Sequence, residues 1–142
     1  MIKKIEEVVY GKYDKNDVVW VFLSSFDKDN HMLLSQGSLE TSKSLWSLLP
    51  LLYTSVADPK SAFIAVDIVQ DVIEHKDKDS FLALDMTKHG LFLLSWEKSG
   101  VMLPGTIGVD SSKLALSAIK KKYAMDGKVR LFSFMTDRIV VS

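Results

Sequence analysis

The chain has 142 residues, 47% of them hydrophobic and 25% charged, and its 18 Lys and Arg balance 18 Asp and Glu to a formal net charge of +0. That length and composition suit one globular domain, residues 1–142, with a real apolar core, and exclude a disordered or low-complexity chain. Zero net charge provides no global field toward a polyanion or an anionic membrane, so neither is an expected partner; with no cysteine, disulfides, thiolate-bound zinc, iron–sulfur clusters and a cysteine nucleophile are ruled out.

The opening Met1-Ile2-Lys3-Lys4-Ile5-Glu6-Glu7 meets acids at once and lacks the apolar core of a signal peptide. No apolar run approaches the roughly 20 residues that cross a bilayer, so the expected location is the cytoplasm. Residues 5–10 fit a short helix or an edge strand. Residues 18–26 are β-branched and aromatic and predict a mostly buried strand, with Asp27-Lys28-Asp29-Asn30 as a turn and 31–34 as the return strand of a hairpin. Leu45, Leu48, Leu49, Leu52 and Val56 recur at helical spacing behind Thr41 or Ser42 as N-cap. Pro50 kinks that helix or delays its start, and Asp58-Pro59 stops it.

Over 62–72, Ala62, Ile64, Val66, Ile68 and Val72 share one side of a period-two pattern and Asp67 and Asp71 the other, which predicts a half-buried strand. Residues 74–80 read as a charged turn. The apolar runs 81–86, 90–96 and 101–103 then predict an antiparallel meander. After the loop 104–108, Asp110 or Ser111 caps a second helix through about residue 125, stopped near Gly127, with Lys120, Lys121 and Lys122 in its last turns. Residues 129–134 and 139–141 read as two strands around Thr136-Asp137. The fold class is therefore α+β, an antiparallel-dominated sheet flanked by helices, because most links between strands are shorter than a parallel crossover.

Candidate chemistry is sparse. His31, His75 and His89 are too far apart for a local metal motif. Glu74, His75, Asp77 and Asp79 crowd one turn, but Lys76 and Lys78 alternate with them and would repel a cation, and neither this turn nor 27–30 has the glycine and glutamate of an EF-hand loop. No tightly held transition metal is expected. No Gly-x-Ser-x-Gly surrounds any serine. Gly105 and Gly108 before a helix lack the lysine of a P-loop and the glycine pattern of a dinucleotide fold, so no cofactor is expected. Lys120 to Lys122, with Lys128 and Arg130, complement a helix dipole rather than form a nucleic-acid surface.

Taken in order, Gly37-Ser38-Leu39-Glu40, the strand Ile64-Ala65-Val66-Asp67-Ile68, His89-Gly90 and Gly100-Val101-Met102-Leu103-Pro104 resemble the AMMECR domain family from about residue 18 onward. In that family a Gly-Thr or Gly-Ser with a following acidic position closes the signature Arg-Gly-Cys-Ile-Gly, a Val-Ser strand comes next, a His-Gly precedes a further strand, and a Leu-Pro ends the strand after it. Leu33-Leu34-Ser35-Gln36-Gly37 occupies the place of the signature and keeps only its last glycine. Ser35 stands where the cysteine would be and Leu33 removes the arginine, so a thiol role cannot operate. The resemblance implies a mixed fold with a main antiparallel sheet, helices on its faces and a smaller lobe, and it implies partnership with Memo-like or radical-SAM proteins.

Three functional readings follow. The first is a small-molecule-binding or accessory domain of the AMMECR kind, its site formed by Ser35, Gly37, Ser38, Glu40, His89, Gly90, Leu103, Pro104 and Gly105. There glycines would let a ligand approach the main chain and Ser35, Ser38, Glu40 and His89 would supply directional hydrogen bonds. The second is an enzyme with His89 as general base, oriented by Glu40 or Asp85. The third is an interaction or homo-oligomerising module anchored by Trp20, Trp46 or Trp96, although aromatics in strands are more often core.

Overall fold

The computed structural model describes residues 1–38 and 42–142, and over them the chain forms four helices and six strands. They are α1 (Ile2–Tyr10), β1 (Val21–Phe26), β2 (Met32–Ser38), α2 (Leu45–Val56), β3 (Phe63–His75), α3 (Lys78–Leu82), β4 (Gly90–Leu94), β5 (Ser99–Met102), α4 (Ser112–Lys122) and β6 (Arg130–Val141). The strands hydrogen-bond in the order β2-β1-β3-β6-β4-β5. Pairings of β1 with β2 and β3, and of β4 with β5 and β6, are antiparallel. The fold is α+β with an antiparallel-dominated sheet, as the short links require.

Two compact units divide the chain, Met1–Val69 with Asp137–Ser142, and Gln70–Thr136. In the first, every residue of β1 is buried, and α1 is a helix whose Ile5 and Val9, one turn apart, face the core. Leu45, Leu48, Leu49, Leu52 and Val56 of α2 are all buried, as their spacing predicts, and Pro50 lies inside the helix on its exposed side. The N-cap is Ser44, beyond the expected Ser42; Thr41 falls outside the described residues. Ser44 makes no side-chain cap, and main chain satisfies the helix start in its place, with the Leu45 and Trp46 N–H groups donating to the carbonyls of Asp17 and Lys15, each at 2.9 Å.

Strand β3 departs from simple alternation. Ile64 to Ile68 are buried on both faces, Asp67 among them at 0% exposure, whereas Val72 is 42% exposed. Asp71 has φ 53, and a left-handed residue within a strand breaks the period-two register, so Val72 no longer follows Ile68 inward. Asp67 is held by Arg138 through a bidentate pair, Nε to Oδ1 at 2.9 Å and Nη2 to Oδ2 at 3.0 Å.

The Gln70–Thr136 unit has its own core of Phe81, Met86, Leu91, Leu93, Ala115, Ile119 and Met125. Residues 81–86 are not a strand: the short helix α3 ends at Leu82 and turns follow. Asp77 starts that helix, its Oδ2 accepting from the Ser80 N–H at 3.0 Å. At α4, the Ser111 hydroxyl accepts from the Leu114 N–H at 3.2 Å. The helix stops at Lys122, short of residue 125, because Ala124 takes φ 51 and the N–H groups of Met125 and Ala124 return to the carbonyls of Lys120 and Lys121. Finally, 129–141 is not two strands. Strand β6 runs unbroken for 12 residues, since the Asp137 carboxylate accepts from Lys12 and Tyr13 instead of folding back on its own main chain.

Candidate functional site

In the Gln70–Thr136 unit a cleft of about 500 Å³ opens between the end of β3, helix α3, the first turns of α4 and the start of β6. Its apolar wall is Phe81, Leu82, Leu116 and Leu131. Around that wall stand Lys76, Lys78 and Lys113, with His75 and Asp77. Leu116 and Lys113 are three apart on α4 and so share its face. The Asp77 cap turns Phe81 into the core, where it is 6% exposed, while Leu82 stays 47% exposed and presents apolar surface to the opening.

The polar groups at the cleft are tightly ordered. Glu74 grips Arg130 with two hydrogen bonds, at 3.1 and 2.8 Å, and Arg130 lies 5.1 Å over the Phe132 ring. Arg130's hydrogen bonds hold the Glu74 carboxyl below its ordinary range, and Glu74 raises the guanidinium in return. The Ser80 hydroxyl donates to Asp77 Oδ1 at 2.7 Å, and this bond, with the Ser80 amide, depresses the Asp77 carboxyl. With its proton so placed, the Ser80 oxygen accepts from His75 Nδ1 at 3.0 Å. His75 Nδ1 is thereby a donor, and His75 Nε2 pairs with the Ser133 hydroxyl at 2.6 Å, so both ring nitrogens are engaged. Three ammonium groups against one carboxylate, beside an apolar wall, can hold an anionic group whose body is apolar.

The residues singled out from sequence fall in both units. On β2, the Ser35 hydroxyl meets that of Ser24 at 3.1 Å, Gly37 pairs with Phe22, and Ser38 pairs with Val21. The space above Gly37 is filled by the Phe22 ring, whose Cδ1 would lie 1.8 Å from an added Cβ. Glu40 lies outside the described residues. His89, Gly90, Leu103, Pro104 and Gly105 belong to the Gln70–Thr136 unit, where they form one corner. There the Gly105 N–H donates to Met86 O at 2.8 Å, and a Cβ on Gly90 would meet Met102 O at 2.6 Å and the Phe134 ring at 2.4 Å. Gly105 sits at φ +70, as its turn requires. Leu103 is buried, its carbonyl accepting from the Thr106 hydroxyl at 2.7 Å, and Pro104 is half-buried.

His89 Nδ1 meets the main-chain carbonyl of Asp85 at 3.2 Å. The Asp85 carboxylate instead accepts from the Thr87 hydroxyl and amide, at 2.6 and 3.0 Å, which depress its pKa, so it does not orient the imidazole. Asp27, Asp29 and His31 bring ligand atoms within 4.8 Å of one another at the β1–β2 turn. Asp27 Oδ1 is already occupied by the Asp29 and His31 N–H groups, both at 2.9 Å. Of the tryptophans, Trp20 is half-buried, while Trp46 and Trp96 are 61% and 99% exposed and not core. The cleft residues were missed from sequence, where 74–80 reads as a solvated turn. Their signal was Asp77 three residues before Ser80, a helix start just ahead of Phe81-Leu82.

No protein-family model and no curated protein matches the chain. A solved structure of an uncharacterized protein, PH0010, from Pyrococcus horikoshii is similar in fold, with a TM-score of 0.74 over 98% of this chain and 86% of that one, at 15% sequence identity.

Proposed function

We propose that the protein is a small-molecule-binding domain of the AMMECR kind whose ligand, an anion with an apolar body, occupies the cleft beside α3. The observation that carries this reading is the grouping of Lys76, Lys78 and Lys113 around the wall of Phe81, Leu82, Leu116 and Leu131. His75, hydrogen-bonded at both ring nitrogens, adds shape to the rim. The family resemblance supports an accessory role beside Memo-like or radical-SAM proteins in the cytoplasm. Among the described residues, no helix is long and apolar enough to cross a membrane.

The test is a thermal-shift and calorimetric screen of carboxylated and phosphorylated amphiphiles, each paired with its neutral amide or alcohol. The proposal expects anionic members to bind and their neutral partners to fail. Lys78→Ala and Lys113→Ala should each weaken the best ligand about tenfold or more, the loss of a charge-assisted hydrogen bond. His89→Ala serves as the contrasting arm, because it probes the corner of His89, Gly90 and Gly105 instead. Hits weakened by His89→Ala and indifferent to both lysine substitutions would move the site to that corner.

A further inference from the structure

We propose that the end of the Gln70–Thr136 unit made by the β4–β5 turn and the last turn of α4 docks on an anionic lipid bilayer, with Trp96 as the inserted side chain. The turn is closed by hydrogen bonds: the Ser95 N–H donates to Lys98 O at 2.9 Å and the Lys98 N–H to the Ser95 hydroxyl at 3.1 Å. Trp96 nevertheless stands 99% exposed on it, packed on nothing. A two-strand turn has no local need of an indole, and a hydrated one this large forfeits the burial that usually places it.

The surroundings of Trp96 are basic. Gly100 of β5 lies against Ile119 and Tyr123, and Lys98 Nζ donates to Ala124 O at 2.7 Å, so the turn adjoins the helix end that carries Lys120, Lys121 and Lys122. Lys128 follows shortly after. Glu97 and Asp126 are the carboxylates of the same segments, which leaves ammonium groups in clear excess although the whole chain is neutral. Carbonyls at the helix end already receive Lys98, and Lys120 reaches Gly127 O at 3.1 Å. Lys121, Lys122 and Lys128, all exposed, exceed what capping and the helix dipole require.

The chemistry selects a bilayer over other polyanions. Single-stranded nucleic acid is held by several aromatic platforms. Here the Tyr123 ring is covered by Gly100 and carries Lys122 Nζ at 5.4 Å, leaving one free indole. A protein hot spot seats its tryptophan within a rim that excludes water, whereas this one stands fully hydrated in a turn that holds Lys98 and adjoins the lysine-bearing end of α4. An indole at headgroup depth, ringed by lysines facing anionic lipid, is the interfacial combination. Lys113 and Leu116 of the cleft lie at the other end of α4, so the two proposals stand apart.

The experiment is co-sedimentation with vesicles of about 30 mol% phosphatidylserine in phosphatidylcholine, against pure phosphatidylcholine, at about 0.1 M salt. Partitioning to the anionic vesicles with a blue shift of tryptophan emission is expected, as is release at about 0.5 M salt. Lys121→Glu with Lys122→Glu should weaken partitioning at least about 25-fold, from about fivefold per lysine. Trp96→Ala should weaken it about tenfold while retaining the wild-type circular dichroism, because the side chain packs on nothing. Equal partitioning to both vesicle types, full binding by Trp96→Ala, or release by an added single-stranded oligonucleotide would overturn the proposal.

Discussion

Removing the guanidinium of Arg138 would leave the Asp67 carboxylate at 0% exposure without the charge-assisted hydrogen bonds that reach both its oxygens, at 2.9 and 3.0 Å. Taking one partner from a buried ion pair costs about 3–5 kcal/mol, because the remaining charge is desolvated and uncompensated. The Arg138 side chain is itself 39% exposed, so water follows it into the gap and the lower end, about 3 kcal/mol, applies. Arg138→Lys keeps the charge but loses the planar fork and should cost about 1–2 kcal/mol. Urea unfolding followed by circular dichroism reads this directly: at about 2 kcal/mol per molar the Arg138→Ala midpoint falls by about 1.5 M. Adding Asp67→Asn to Arg138→Ala removes the buried charge that lost its guanidinium and should restore roughly half of the loss, a non-additivity expected of residues in contact. A loss below about 1 kcal/mol for Arg138→Ala, or strictly additive variants, would refute the reasoning.

Three further expectations rest on single groups. Lys12 and then Tyr13 hold the Asp137 carboxyl below the ordinary aspartate value of 3.8, so its contribution is full above that value and is lost as pH falls through the lower folded one. Asp137→Asn should therefore melt lower than wild type at about pH 6, with the gap closing toward about pH 2, and a gap independent of pH would contradict the linkage. Ala124 is exposed at φ 51, where a Cβ costs about 1 kcal/mol and glycine's extra unfolded entropy returns part of that. Ala124→Gly should thus raise stability by about 0.5 kcal/mol, and a lower melting temperature would count against the helix end described. Gly90→Ala should cost about 2–3 kcal/mol in urea unfolding through overpacking, its Cβ falling 2.4 Å from the Phe134 ring and 2.6 Å from Met102 O; wild-type stability would show that the ring can move away.

Helix α2 and strand β1 were legible because each is decided locally: five apolar positions at helical spacing all reach one core, and the run expected as a strand over 18–26 forms a buried one over Val21–Phe26, with Val18 before it 50% exposed. Residues 5–10 were ambiguous since Ile5 and Val9 alone mark the buried face of α1, too few to fix a period. Elsewhere distant groups overrode local chemistry. Thr136-Asp137 has turn composition, yet Lys12 and Tyr13, from the far end of the sequence, engage the carboxylate and keep the strand extended. Gly37 and Gly90 were expected to let a ligand approach the main chain. What approaches is invisible in sequence, and in both cases it is the ring of the cross-strand partner, Phe22 and Phe134. The cleft was illegible for the related reason that its wall comes from α3, α4 and β6 while the lysines of 76–78 read as a solvated turn.

The hydrogen-bond chain Asp77–Ser80–His75–Ser133 explains why charge and shape at the cleft come from different residues. A carboxylate can only accept, so Asp77 fixes the direction of the Ser80 hydroxyl, which leaves His75 Nδ1 as donor to the Ser80 oxygen, while Nε2 pairs with the Ser133 hydroxyl on β6. His75 is thereby committed at both nitrogens to joining β3, α3 and β6. A ligand can recruit it only by displacing Ser80 or the buried Ser133, and the latter would strand a hydroxyl at 1% exposure. Lys76, Lys78 and Lys113 belong to no such chain and sit on long, mobile stems around a fixed apolar wall. In the proposed site, that division would let the lysines follow variation in the anionic head of the ligand, while Phe81, Leu116 and Leu131 select its apolar body.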